Sequence, residues 1–468
     1  MDSKKRFIQF VSYFFVIILL SSLTTHCKRG TSTPYKRLRD YISTIKVINT
    51  HEHQREPAEY REQEHNFYTL LAYSYLKSDL LSAGAAPLRP ELVNQGNLGE
   101  LWERHGQYLD FSRNTSYYSH FLAGFKVLYG LEAPYFTQEA IHSLSEQIAE
   151  NYSNREQWYD KAFKAAGFEI MFLDQYWDNF NVNIDDKYFA LVFNINQLVG
   201  STPLRSEMTE KEAPENQNIY KLAQNDGLSI KTLGDYLAYA DRLFQKFLDH
   251  NTVCLKNSLA YGRSLDFEYI PYEKAEVLFA RSDSSLSEAE KKALQDFMFH
   301  WIIQKSIEVG MPIQIHTGYL AGNGNTLENS RPTKLNNLFL RYPKATFVLF
   351  HGGYPWTGEY SALGKMFPNV YLDIVWLPQI SREAAVRALD EMFDGVPYNK
   401  FFWGGDCHFI EESVGSLEFG RDVVAQVLAK RVKRGLMTEE VAREMALQIF
   451  RENALRVFKL EERLKRLF

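Results

Sequence analysis

TFVLFHGG, residues 346–353, is four apolar residues in a row, then a histidine, then two glycines. A continuous apolar run, without the polar alternation of a half-exposed strand, suits a parallel strand buried on both faces. The glycine pair stops it in a turn. His351 is thereby placed at the carboxyl end of a buried strand, where an imidazole needs a hydrogen-bond partner or a ligand. PIQIHTG, residues 312–318, repeats the pattern with His316, after a helical stretch that ends at Gly310. A single histidine in such a place reads as a satisfied core residue; two in succession, each directly before a glycine turn, read as something more.

Three further segments follow the same rule. In VINTHEH (47–53) a short β-rich run leads into His51 and His53, which alternation sets on one side of the strand. With 12 histidines in 468 residues, composition alone places about 0.3 such pairs, so the pair gains its weight from its position. NTVCLKNS (251–258) carries Lys256, for which the plain reading is a side chain reaching towards solvent. FFWGGDCH (401–408) carries Asp406 after a buried aromatic strand. A carboxylate there is costly unless it is hydrogen-bonded, paired or bound to metal; its plain reading is a helix N-cap.

Eight strand-like runs are found in all: 47–51, 169–174, 189–195, 252–258, 312–318, 346–352, 369–375 and 401–407. Helical stretches at 155–167, 232–250, 286–309, 332–342 and 381–394 alternate with them. Alternation of this kind implies βαβ units, and eight of them predict an α/β fold, a (β/α)8 TIM barrel. Residues 54–150 form a helix-rich insertion after strand 1, and 201–230 a polar loop after strand 3. The candidate ligands fall on strands 1, 4, 5, 6 and 8, at the carboxyl ends, where the side chains of a closed barrel converge.

The order His-x-His, Lys, His, His, Asp on those strands resembles the amidohydrolase superfamily. HTGYLAGNGN, FHGGYPWTGE and WGGDCHF resemble its amidohydrolase-related (amidohydrolase 2) branch, and the run from Lys256 to Leu265 is similar to amidohydrolase domains related to glutamine synthetase-like proteins. The likeness extends over roughly residues 40–455. One departure is Asn49, where the family often carries Asp; it loses a charge and keeps a hydrogen-bonding group.

The resemblance implies a divalent metal, zinc first from the histidine-rich set, with manganese or iron as alternatives. His51, His53, His316 and Asp406 are the implied ligands of one ion. Lys256, carboxylated, and His351 complete a second site in two-metal members; in one-metal members His351 orients water or binds the developing oxyanion. The chemistry expected is attack by metal-bound hydroxide on a C–N bond of a small polar substrate, with Asp406 and His351 catalytic. Alternatives are a decarboxylase or isomerase of the same superfamily, or a surface lipoprotein without catalysis. For substrate binding the candidates are Arg263 and Arg331, as carboxylate grips, and Tyr354 and Trp356, as walls; Tyr319 and Trp376 are further wall candidates.

A net charge of −5 without a basic cluster gives no sign of a nucleic-acid partner. Lys4-Lys-Arg6, the apolar stretch from Phe7 to Leu20 and the small residues after it read as a signal peptide, 1–26. Leu23 to Cys27 resembles a lipoprotein box, with 27–40 as the tether and 41–460 as the barrel. The expectation is an exported protein held at a membrane through Cys27, or else simply secreted or periplasmic. The remaining cysteines, Cys254 and Cys407, read as small buried packing residues rather than a disulfide scaffold. Oligomeric state is not legible.

Overall fold

The computed structural model describes residues 32–54, 65–89, 93, 97–203, 215–281 and 283–467. The expected signal peptide and Cys27 lie outside these residues, as do parts of 54–150 and of the loop 201–230.

All eight expected strands form: β1 Val47–Glu52, β2 Phe168–Leu173, β3 Phe189–Asn194, β4 Cys254–Asn257, β5 Ile313–Ile315, β6 Phe347–Leu349, β7 Val370–Asp373 and β8 Phe401–Phe402. Each pairs in parallel with the next, in the order β1 to β8. The segment after β8 then runs along β1 and closes the ring: Thr50 N–H donates to Trp403 O, Asp406 N–H to His51 O at 2.8 Å, and His53 N–H to Cys407 O at 2.9 Å. The strands are buried almost throughout, as parallel strands covered on both faces are.

The outer helices follow from their caps. Ser287 and Glu290 form a capping box at the start of Glu288–Val309, and Gly310, at φ 64°, ends it in the left-handed conformation that glycine adopts without strain. Thr232 and Asp235 cap Leu233–Asp249 in the same way. That helix docks on β3 through Phe247, stacked on Phe193 at 3.9 Å between ring centroids. Burying such a ring contributes about 1.5–3 kcal/mol.

The insertion after β1 contains the helices Phe67–Tyr73, Leu76–Ser82, Leu98–Phe111, Ser116–Tyr129 and Gln138–Ser153. It is fixed to the long helix Ile410–Lys433 that follows β8. Gly124 and Gly415 let the two backbones touch: a Cβ on Gly415 would lie 2.0 Å from His120 O. Buried Glu411 accepts from Tyr129 Oη at 2.6 Å, Tyr152 Oη at 2.8 Å and Trp158 Nε1 at 3.1 Å. The insertion is therefore held rigidly over one side of the barrel mouth.

Part of the segment expected as a tether, 27–40, is helical. Pro34–Ser43 is a helix capped by Thr33, packed on the helices Ile410–Lys433 and Glu439–Leu447 with Leu38 and Ile42 fully buried. Arg37 pairs with Glu439 and Arg39 with Glu418. Two apolar residues four apart suffice for docking once ion pairs flank them, a pattern too sparse to stand out in a basic segment. Cys254 and Cys407 are free and buried.

Candidate metal centre

The carboxyl ends of the strands bring together two histidine pairs with Asp406 between them. The first pair is His51 and His53, whose Nε2 atoms lie 3.3 Å apart. His53 Nδ1–H donates to the Asp174 carbonyl at 3.0 Å, which leaves Nε2 to face the site. Asp406 Oδ1 lies 3.0 Å from His53 Nε2 and 3.6 Å from His51 Nε2. Lys256 Nζ lies 2.9 Å from His51 Nε2 and 3.8 Å from Asp174 Oδ2. Asp174 Oδ2 is also 3.9 Å from His51 Nε2. His51, His53 and Asp174 present one ligand atom each within 4.8 Å of one another, a spacing that one ion can bridge.

The second pair is His316 and His351, with Nδ1 of the first 3.1 Å from Nε2 of the second. His316 Nε2–H donates to Tyr319 O at 2.8 Å and His351 Nδ1–H to Val375 O at 3.2 Å. Burial pushes both imidazoles down, His316 well below its ordinary range and His351 to about 4. Each ring is thus neutral and has spent its single N–H on a carbonyl. The two nitrogens that face each other both carry lone pairs. Two acceptors at that distance call for a cation between them.

The charges around the first pair agree. Burial lowers His51 well below its usual range, and the neighbouring Lys256 adds to this. Burial also works to lower His53, but the hydrogen bond and charge of Asp406 outweigh it and hold that ring above its usual range. For Asp406, burial works upward, yet the His53 hydrogen bond and the nearby imidazoles hold it well below the carboxylate range. Lys256 is lowered by burial. These donors fit a divalent ion: in His53, His316 and His351 the opposite ring N–H is held by a backbone carbonyl, and the carboxylate is kept ionised.

The backbone is bent to present these groups. Among the described residues five non-glycine positions have positive φ, and three are here: His351 at 64°, Trp376 at 60° and Asp406 at 59°. Strain of this kind is retained where the surroundings over-determine it. Gly405 is needed for the approach of β8 to β1, since a Cβ there would lie 2.0 Å from Glu52 Oε1. Asn49, the departure from the family pattern, accepts from Gly405 N–H at 2.9 Å and so stitches the same junction.

The four residues expected to bind substrate lie away from the centre. Arg263 is committed to Asp296, and its guanidinium lies over Phe267. Arg331 makes a two-point pair with Glu359, at 3.0 and 2.6 Å. Both cations are consumed by carboxylates of the scaffold, a pairing between distant segments that spacing does not reveal. Tyr354 and Trp356 are half-buried; Tyr354 packs on Tyr319 and Trp356 lies beneath Arg331. None of the four lines the cavity above the centre.

That cavity has a volume of about 460 Å³ and is floored by His53, Asp174, Lys256, His316 and Asp406. Its walls include Tyr73, Tyr75 and Lys77 from the insertion, Tyr176 after β2 and Tyr261 after β4. Asp174 was missed although it ends the run EIMFLD, at a strand end like the others. Asp373 was missed in the same way at the end of β7. It is buried beneath the centre and accepts from Thr50 Oγ1 at 2.6 Å and Val375 N–H at 2.9 Å. The insertion residues gave no signal in the sequence.

A closed barrel of eight parallel strands with metal-competent histidines and carboxylates on its carboxyl rim defines a class, the metal-dependent (β/α)8 enzymes. The sequence match is narrower: residues 286–460, which contain His316, His351 and Asp406, match the amidohydrolase family. The chain is 32% identical to protein fluG of Emericella nidulans over 233 residues, 46% of this chain and 26% of that protein. It thus spans about a quarter of the length of that curated relative. In fold it is similar to the uronate isomerase of Thermotoga maritima, with a TM-score of 0.73, 15% identity, and 91% of this chain and 97% of that one covered. The glucuronate isomerase of Caulobacter crescentus is similar at a TM-score of 0.73 and 15% identity, with 94% and 95% covered.

Proposed function

We propose that the protein hydrolyses a C–N bond of a small polar substrate at a two-ion centre. The observation that carries this reading is the convergence of two lone-pair-bearing histidine pairs on Asp406, at the floor of one cavity. His51, His53 and Asp406, with Asp174 beside them, would hold the first ion. His316 and His351 would hold the second, with Lys256 placed to bridge once carboxylated. A divalent ion bound there supplies Lewis acidity and acidifies water to a pKa of about 7; zinc fits the nitrogen-rich set, and manganese or iron are alternatives.

The chain's own residues supply the rest. Asp406 offers Oδ1 to the first histidine pair, while Oδ2 lies 3.8 Å from His351 Nδ1. A carboxylate so shared, and kept ionised by its neighbours, is suited to accept a proton from water and return it to the leaving nitrogen. Trp376, edge-on to His351 at 5.1 Å, and Phe350, edge-on to His51 at 4.8 Å, exclude bulk water from the centre.

Metal analysis and a turnover screen of amides, esters and lactones test the reading on one preparation. Stoichiometric metal with amide hydrolysis is expected. CO₂ release or aldose–ketose interconversion without hydrolysis would overturn it, and absence of metal after refeeding with zinc or manganese would remove any enzymatic reading. Export and anchoring through Cys27 are proposed from the sequence. Membrane fractionation of the wild type against Cys27→Ala tests them, and an unchanged distribution would reject the anchor. The kinship with glutamine synthetase-like proteins is likewise proposed, on the run from Lys256 to Leu265.

A further inference from the structure

Among the described residues, the cavity above the metal centre has one cation that no carboxylate pairs and that the proposed chemistry does not use. Lys77 lies in the helix Leu76–Ser82 of the insertion, half-buried, and lines the cavity with Ser78. Its Nζ donates to Ala72 O at 2.9 Å, and among the described residues no carboxylate lies within ion-pair distance. An ammonium has three donors, so two are left towards the cavity. The contrast with Arg263 and Arg331, each tied to a carboxylate, is direct. The other charged groups of the lining, Asp174, Asp406 and Lys256, face the histidines and one another at the floor. The amide and hydroxyl groups of the lining carry no charge: Asn196, for example, is bonded to Ser258 at 2.6 Å.

The cavity therefore has a centre for bond cleavage at its floor, a free ammonium on the wall contributed by the insertion, and tyrosine rings between them. We propose that the substrate is a small carboxylate, of the N-acyl amino acid or ω-amido acid class, whose carboxylate is held by Lys77 while its C–N bond lies at the metal centre. This rests on the hydrolase reading above for the bond cleaved. The carboxylate subsite itself rests on Lys77. An ammonium held half out of water by packing binds a carboxylate more strongly than an exposed lysine does, because water competes less. The site also explains why the insertion is fixed so firmly to the helix after β8: Lys77 has to stay in place relative to the floor.

The test uses the zinc-loaded full chain and calorimetric titration with matched probes. These are succinate, glutarate and adipate against butyrate, pentanoate and hexanoate. In each pair one carboxylate is available to the metal centre, and the dicarboxylate adds a second for Lys77. The wild type is expected to prefer a dicarboxylate of matching length by about 10- to 100-fold, the range of a charge-assisted hydrogen bond. Lys77→Met, which keeps the apolar stem, is expected to reduce that preference to about one, and Lys77→Arg to retain most of it. Melting temperature and metal content are read on each variant; if Lys77→Met does not fold, Lys77→Gln takes its place. No preference at any length in the wild type, or the same preference without the ammonium, would overturn the proposal. The two readings fail separately. A protein that cleaves neutral amides but ignores the second carboxylate keeps the hydrolase reading alone; one that binds dicarboxylates through Lys77 without cleaving any amide keeps the subsite alone.

Discussion

The two histidine pairs of the centre are built alike and charged differently. His51 and His53 stand beside Asp406, Asp174 and Lys256, all within 4 Å of a ring nitrogen or of each other. His316 and His351 are fixed by carbonyls, and the carboxylate near them is Asp406 Oδ2, 3.8 Å from His351 Nδ1. An ion at the first position would have its charge compensated within the protein. The second has good geometry and little charge, so its affinity should depend on what bridges to it. Ligand geometry and charge compensation are thus separable within one site.

The largest effect is expected where the two positions meet. Asp406→Asn keeps the shape and removes the charge and the proton acceptor, and should lower kcat by about 10²–10⁴-fold while leaving the melting temperature nearly unchanged. Turnover within a factor of a few of wild type would show that the carboxylate is only structural. Next comes the bridge. Lys256→Met should weaken binding of the second ion by roughly 10- to 100-fold, the usual cost of a lost supporting group at a metal site. The first ion should remain, and equal loss of both in a metal titration would erase the distinction between the pairs.

The smallest effect concerns the support beneath both. Asp373 holds Thr50, next to His51, and Val375, whose carbonyl holds His351. Burial raises its carboxyl to about 7, against about 3.9 in an unfolded chain. Between those values the folded state binds the extra proton. The stability contributed by the protonated form is therefore complete below about pH 3.9 and is lost as pH rises through about 7. Asp373→Asn should flatten the fall of melting temperature over that window, and an unchanged slope would mean that other groups set it.

The barrel was legible because the strands are short, largely apolar runs, continuous in Phe347–Phe350, that alternate with helical stretches, as parallel burial favours. The ring of candidate ligands was legible for the same reason, since the residue after such a run lies on the rim. Asp174 obeys that rule but stands alone, without the neighbouring histidine or glycine that marks the histidines and Asp406. Arg263 and Arg331 illustrate the opposite case. Their partners, Asp296 and Glu359, lie 33 and 28 residues away, and only the packing of separate elements decides whether a cation is free. Lys77 was invisible likewise: its importance comes from a helix docked across the barrel mouth by Gly124, Gly415 and Glu411, none of which is near it in sequence.

The most direct test of the two-position account is metal content by mass spectrometry after zinc loading and dialysis, for wild type, His53→Ala and His351→Ala. The account predicts two ions per chain in the wild type, one in His351→Ala, and fewer than one in His53→Ala, because the uncompensated second position does not hold an ion by itself. One ion in the wild type, unchanged in His351→Ala, would contradict it and reduce the His316–His351 pair to a support for a single metal.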